Sequence, residues 1–297
     1  MPNGRLKEQL DKCEHYQKLN AYLDKSESYQ KFDAYKNKVL ALGNDSLEKT
    51  IAVALSLCFV CAILVSFSAV VLRPLQIENK AMDMKKNILD VAGLLDEDTD
   101  IHQAFADQIE EKLVDIITGD YVEDMDAVGY DQRKAAKDPA QNITLDSNSD
   151  IASIKRKAKI AKVYLVKKGD TIQSIILPMH GYGLWSTMYG FLALEADGQT
   201  VKSINFYDQA ETPGLGGEVV NPNWRALWQG KKVYDDAGEP VLKLVKGVVD
   251  TNRPGSEFQV DGLAGATLTS NGVSNLVKYW MSAEGFAPYL DKIRNDG

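Results

Sequence analysis

The residues best suited to chemistry stand in one run, Asp261-Gly262-Leu263-Ala264-Gly265-Ala266-Thr267-Leu268-Thr269-Ser270, where an aspartate and three hydroxyl side chains surround small residues. Gly262 and Gly265 permit turn conformations and close backbone approach that other residues do not. Beyond Asn271, the apolar positions Val273, Leu276, Val277 and Trp280 recur at helical spacing, which predicts a helix capped by Thr269 or Ser270. A helix N-terminus behind such a turn suits a phosphate, because unpaired N–H groups and the positive dipole end face it. The same residues also make an ordinary capped turn, so the run alone does not choose between these readings.

The elements that position this run read as an α+β domain. Val163 to Val166, Ile172 to Leu177, Phe191 to Leu194 and Val201 to Phe206 are rich in β-branched or aromatic residues and predict strands. The dipeptides Gly169-Asp170 and Asp197-Gly198 between them favour hairpins, hence a mostly antiparallel sheet with packed helices. Pro222 to Gln229 reads as a short helix bearing Trp224 and Trp228 on adjoining faces, and Val241 to Val249 as a further strand.

Two other stretches carry a signature. One is His180-Gly181-Tyr182-Gly183-Leu184-Trp185-Ser186-Thr187-Met188-Tyr189-Gly190, the other Glu211-Thr212-Pro213-Gly214-Leu215-Gly216-Gly217-Glu218. Together with the run at 261–270, in this order, they resemble the FMN-binding domain family. In that family a threonine hydroxyl carries FMN through a phosphoester, in a pattern of Asp, two residues, Ser or Thr, Gly, Ala, Thr. The resemblance implies Thr267 as the attachment point, with Ala264 where the family has Ser or Thr. It also implies FMN contacts from Asp261, Gly265, Ala266, Thr269 and Ser270, from Tyr182, Gly183, Leu184 and Trp185, and from Glu211, Thr212, Pro213, Gly214, Leu215 and Gly216. Tyr182, Leu184 and Trp185 offer apolar surface for an isoalloxazine ring. His180, the one histidine in this half, is expected to be structural or ring-adjacent rather than a general base.

Ile51 to Leu72 carries no charge, and about 22 residues of helix span a hydrocarbon core of about 30 Å. Lys49 and Arg73 bracket it and Pro74 follows, which predicts a single anchor over 46–73. Lysines lie on both flanks, so charge does not orient it. With 44% hydrophobic residues in 297, the chain has room for an anchor and one well-buried domain. The formal charge of −8 argues against nucleic acid as a partner. The acidity between Asp90 and Asp131 reads as a helical stem and linker over 74–160, and Asp96-Glu97-Asp98 lacks the spacing of a calcium loop, so no metal site is expected. Cys13, Cys58 and Cys61 all precede the globular half; Cys58 and Cys61 share a helix face inside the apolar span and read as packing residues, with an iron–sulfur role left open only if partner subunits add further thiolates.

The segment 1–45 holds a repeat in which Leu10 to Tyr22 recurs as Leu23 to Tyr35, giving two short helices or one helix with different partners along its length. From about residue 45 to 290 the chain resembles more closely the C-subunit family of the sodium-translocating NADH:quinone reductases. The stem Leu72-Arg73-Pro74-Leu75-Gln76 and the segment Glu218 to Trp224 carry this likeness, as do Trp228 and Gly230-Lys231. It implies an electron-transfer subunit in a bacterial inner membrane, with a cytoplasmic N-terminus and a periplasmic flavin domain over 161–297. Such a subunit relays electrons through FMN between an iron–sulfur centre and another flavin subunit. Its implied partners are the other membrane subunits and, during maturation, a flavin transferase that uses FAD. Two alternatives stay open at this level: the flavoprotein subunit of an Rnf-type ferredoxin-linked complex, and an anchored extracytoplasmic binding domain without flavin.

Overall fold

A computed structural model describes residues 27–296 except Asn44 and Asp170. The first copy of the N-terminal repeat, Cys13 and the expected joint near Leu23 lie outside the described residues, as does Asp170 of the expected hairpin turn. Two compact units divide the chain, Met1–Ile77 and Glu78–Gly297.

In the first unit, α1 (Glu27–Ala41) is followed within a few residues by α2 (Leu47–Ala92). The ammonium of Lys49, in the first turn of α2, donates to the carbonyl of Leu42 at 2.9 Å, and so satisfies an orphan acceptor beyond the end of α1. Among the described residues, α2 is the one helix long and apolar enough to cross a membrane. The helix extends beyond the apolar stretch, with Pro74 inside its 46 residues. Pro74 removes one N–H donor there, and the helix runs on both sides of it.

The second unit is built on a five-stranded sheet of order β1-β4-β5-β6-β7, antiparallel throughout. Its strands are β1 (Ile109–Asp115), β4 (Ile160–Lys168), β5 (Thr171–Tyr182), β6 (Thr187–Glu195) and β7 (Val201–Asp208). The edge strand β1 follows α3 (Ile101–Gln108), which Asp100 caps through the N–H groups of His102 and Gln103. Before β4 come a short helix, α4 (Gln132–Ala135), and a small ladder of β2 (Asn142–Thr144) with β3 (Arg156–Ala158).

The strands read as unbroken apolar runs because both faces of the sheet are covered. Val163 and Leu165 of β4 enter one core, while Tyr164 and Val166 enter the other; Leu192 and Leu194 of β6 part in the same way from Phe191 and Ala193. The second core is closed by Ile88, Leu89, Val91 and Ala92 at the end of α2, together with Phe105 of α3. The expected acidic stem is therefore corrected: residues from Glu78 onward supply one covering layer and an edge strand of the sheet. Asp96, Glu97 and Asp98 are exposed, whereas Asp90 pairs with Arg225, and the buried residues Ile88, Leu89, Val91 and Ala92 recur at i, i+1, i+3 and i+4 among these charges.

The first core is closed by C-terminal elements. These are α5 (Pro222–Ala226), β8 (Lys243–Val245), β9 (Gln259–Asp261), α6 (Thr267–Trp280) and α7 (Ala287–Asp296). The strand expected over Val241 to Val249 is only three residues long and pairs parallel with β9.

Candidate functional site

Three loops meet at the N-terminus of α6. The first is the β5–β6 hairpin around Gly183 to Ser186, the second is the segment after β7 from Gln209 to Gly217, and the third is the turn between β9 and α6. The sequence-predicted stretches are thus brought together by the sheet edges and one helix.

The helix starts earlier than expected. Its cap position is Ala266, with no side-chain cap, and Thr267 is the first helical residue. Thr269 and Ser270 follow within the first four residues of the helix and face inward, 1% and 7% exposed. Ser270 takes its hydroxyl back to the carbonyl of Ala266 at 3.0 Å and accepts from the N–H of Leu263 at 3.0 Å, so it braces the preceding turn instead of capping. The first bond of the helix runs from the Ser270 N–H to the Ala266 carbonyl, which leaves the N–H groups of Thr267, Leu268 and Thr269 ahead of the ladder. Gly265 makes this possible: its φ is +72°, and a Cβ there would lie 2.9 Å from the Leu215 side chain. Thr267 and Leu268 are exposed beside it.

Glu211 stands beneath the site, 4% exposed. Its Oε1 accepts from the N–H groups of Trp185 at 2.9 Å, Leu184 at 3.0 Å and Ser186 at 3.3 Å. Its Oε2 accepts from the Thr269 hydroxyl at 2.7 Å. Burial alone would raise the Glu211 carboxyl, but the Thr269 hydroxyl and the three N–H donors outweigh it and hold the group below its ordinary value. Thr212 closes the neighbouring turn, its carbonyl accepting from Leu215 and Gly217. Asp261 also faces the protein: its Oδ1 accepts from the Val249 N–H at 2.8 Å, and its carbonyl accepts from the Trp224 indole at 2.9 Å.

What remains open at the surface is apolar. Trp185 is 66% exposed, and Tyr182, Leu184, Leu215 and Leu268 are exposed as well. Pro213 and Gly214 are exposed in the same loop. An exposed hydroxyl at a helix N-terminus, N–H groups ahead of the ladder and a rim of aromatic and aliphatic side chains fit a phosphate-bearing planar ligand such as FMN. His180 is set apart from this rim. It stacks on Tyr189 at 5.3 Å between ring centroids and lies against Trp280 at 5.1 Å; burial pushes its imidazole down to about 4, with the Arg133 cation adding to the effect. It is therefore neutral at pH 7.

Sequence reasoning missed Leu268, whose exposure only the early helix start explains. It also missed Gln209 and Ser186, whose side chains accept from the N–H groups of Glu211 at 2.6 Å and Ala210 at 2.8 Å and fix the path into the second loop. Ser186 has no signal in sequence because its partner lies 24 residues away, whereas Gln209 acts locally, on the N–H two residues ahead.

Comparison with known proteins converges on the same region. The FMN-binding domain family matches residues 183–282. The C subunit of the Na(+)-translocating NADH-quinone reductase of Vibrio vulnificus is 52% identical over 254 residues, which covers 86% of this chain and 98% of the relative. Its Yersinia pestis counterpart is 45% identical, covering 84% of this chain and 94% of its own length. The crystal structure of Shewanella oneidensis NqrC superposes with a TM-score of 0.68 at 33% identity, over 73% of this chain and 99% of that one. Sequence, fold and the assembled loops agree: the chain belongs to the NqrC family, the C subunits of the Na(+)-translocating NADH-quinone reductases.

Proposed function

We propose that this chain is the electron-transfer flavoprotein subunit of a Na(+)-translocating NADH-quinone reductase, and that it carries FMN as a phosphoester on Thr267. The observation that supports the attachment point most directly is the placement of Thr267: exposed, first in α6, ahead of the hydrogen-bonded ladder. Thr269 and Ser270 are buried and already bonded, which argues against them as acceptors.

FMN, when bound, supplies a redox centre that accepts and releases electrons. The chain's own groups then have separable roles. The first-turn N–H groups and the dipole of α6 stabilise the phosphate charge. Tyr182, Leu184, Trp185, Leu215 and Leu268 exclude water from a flat ring. By family likeness the group arrives from FAD through a flavin transferase. The Thr267 hydroxyl oxygen bonds to the FMN phosphorus, the pyrophosphate bond breaks, AMP leaves, and the hydroxyl proton passes to solvent or to a base of the transferase.

Electrons are proposed to pass between an iron–sulfur centre and the flavin of a neighbouring subunit, with α2 as a single inner-membrane anchor and residues after it in the periplasm. The test of attachment is the mass of the denatured subunit together with its fluorescence on a denaturing gel. An FMN increment present in the wild type and in Thr269→Ala, but absent in Thr267→Ala, is expected; an increment retained in Thr267→Ala refutes the assignment. A phosphatase reporter fused after Asn295 should be active, and an inactive reporter refutes the orientation.

A further inference from the structure

Glu211, in the second loop of the site, bonds through both carboxylate oxygens to the Trp185 hairpin and to the first turn of α6. Oε1 gathers the N–H groups of Leu184, Trp185 and Ser186, while Oε2 takes the hydroxyl of Thr269. The space around it is closed on the protein side. A Cβ at Gly183 would lie 2.5 Å from Oε1, and one at Gly216 would lie 2.5 Å from Thr269 Oγ1 and 2.9 Å from Oε2. Its own N–H is held by Gln209 at 2.6 Å, so the side chain enters the cluster from a fixed origin. Three converging N–H groups form a carboxylate nest, and the fourth bond reaches into the first turn of α6 two residues after Thr267.

We propose that Glu211 is a positioning residue for flavin attachment: its carboxylate ties the Trp185 hairpin to the first turn of α6 and so presets both the ring-facing surface and the Thr267 hydroxyl. This rests on the reading of Thr267 as the acceptor. A buried carboxylate that accepts four hydrogen bonds holds its partners more rigidly than neutral contacts do, since charge-assisted hydrogen bonds are about twice as strong as neutral ones. Without it, the hairpin N–H groups lose a shared acceptor and the first turn of α6 loses its side-chain bond to the second loop. Thr267 would then sample orientations unsuited to attack on phosphorus.

The experiment uses the full-length apo-subunit in detergent with purified flavin transferase, FAD and magnesium, following the covalent mass increment with time. Amide hydrogen exchange at residues 184–186 is read on the same samples. Glu211→Ala should slow attachment about tenfold or more and speed exchange at those amides. Glu211→Gln keeps a neutral acceptor for the three N–H groups and should restore only part of the rate. Thr269→Val removes only the Oε2 arm at constant shape and should slow attachment about three- to tenfold without accelerating exchange at 184–186. Attachment at the wild-type rate in Glu211→Ala, or in Thr269→Val should Glu211→Ala not fold, overturns the proposal. Lack of any increment in the wild type instead counts against the attachment reading. The exchange data then still judge Glu211, and unchanged protection of 184–186 in Glu211→Ala overturns the tie itself.

Discussion

The indole N–H of Trp224 donates to the backbone carbonyl of Asp261 across 2.9 Å, with Trp224 itself 8% exposed. The short helix α5 is thereby fastened to the residue that opens the glycine–threonine run. Asp261 also accepts from the Val249 N–H with its carboxylate, so one residue links α5, β9 and the segment that follows β8. Trp224 meets Trp228 edge to face at 5.5 Å.

Replacing Trp224 by Phe retains an aromatic ring and removes the donor. The Asp261 carbonyl then loses its indole partner, at a cost of about 1–2 kcal/mol. A lowered midpoint in thermal or chemical denaturation of the full chain is expected, with slower flavin attachment; an unchanged midpoint refutes the role given to this bond.

Asp90 at the end of α2 forms an ion pair with Arg225 of α5 at 2.6 Å and accepts from Asn205 of β7 at 2.9 Å. Arg225 in turn donates to the Ile204 carbonyl at 2.7 Å. The Arg225 side chain is largely buried, so removing one partner strands the other. Arg225→Met should cost about 2–4 kcal/mol, and Asp90→Asn less, because the amide still accepts from Asn205. A double-mutant cycle on denaturation free energies should give a coupling of about 1 kcal/mol or more; additivity of the two changes would show that the pair contributes no coupling.

The depressed imidazole of His180 has a signed consequence. In the unfolded chain it titrates near 6.5 and in the folded chain at about 4, so between those values the unfolded state binds the extra proton. Its contribution to stability is full above pH 6.5 and declines as pH falls towards about 4, by at most roughly 3 kcal/mol. Carboxylates with lowered values, Glu211 among them, add to acid loss in wild type and variant alike. His180→Phe, measured by denaturant unfolding from about pH 7 to about pH 4.5, should therefore flatten the slope over the acidic part of that range. An identical slope in the two proteins would contradict the assignment.

Within the assembled complex, Thr267→Ala should abolish NADH-driven quinone reduction and leave NADH oxidation by an artificial acceptor intact. Such an acceptor draws electrons before they reach this subunit. Quinone reduction at the normal rate in the variant would place the flavin outside the main electron path.

The local signals in the sequence were strong where the physics is local. The apolar length of Ile51 to Leu72, the strand runs and their Gly-containing turns, and the spacing of Val273, Leu276, Val277 and Trp280 each reflect neighbours along one element. The order of three signature stretches also sufficed for the family, since short motifs are legible without knowledge of their contacts. What the tertiary structure alone decided was direction and partnership. Thr269 and Ser270 have the side chains of helix caps, yet Gly265 and the packing of Leu215 start the helix at Thr267, and the two hydroxyls turn inward to Glu211 and to the backbone. Ile88 and Leu89 looked like part of a solvated stem until α3 and the sheet gave them a second core to enter. Glu211 lies far in sequence from Thr269, and no periodicity in either segment encodes the meeting of a carboxylate and a hydroxyl that only the folded sheet edge brings together.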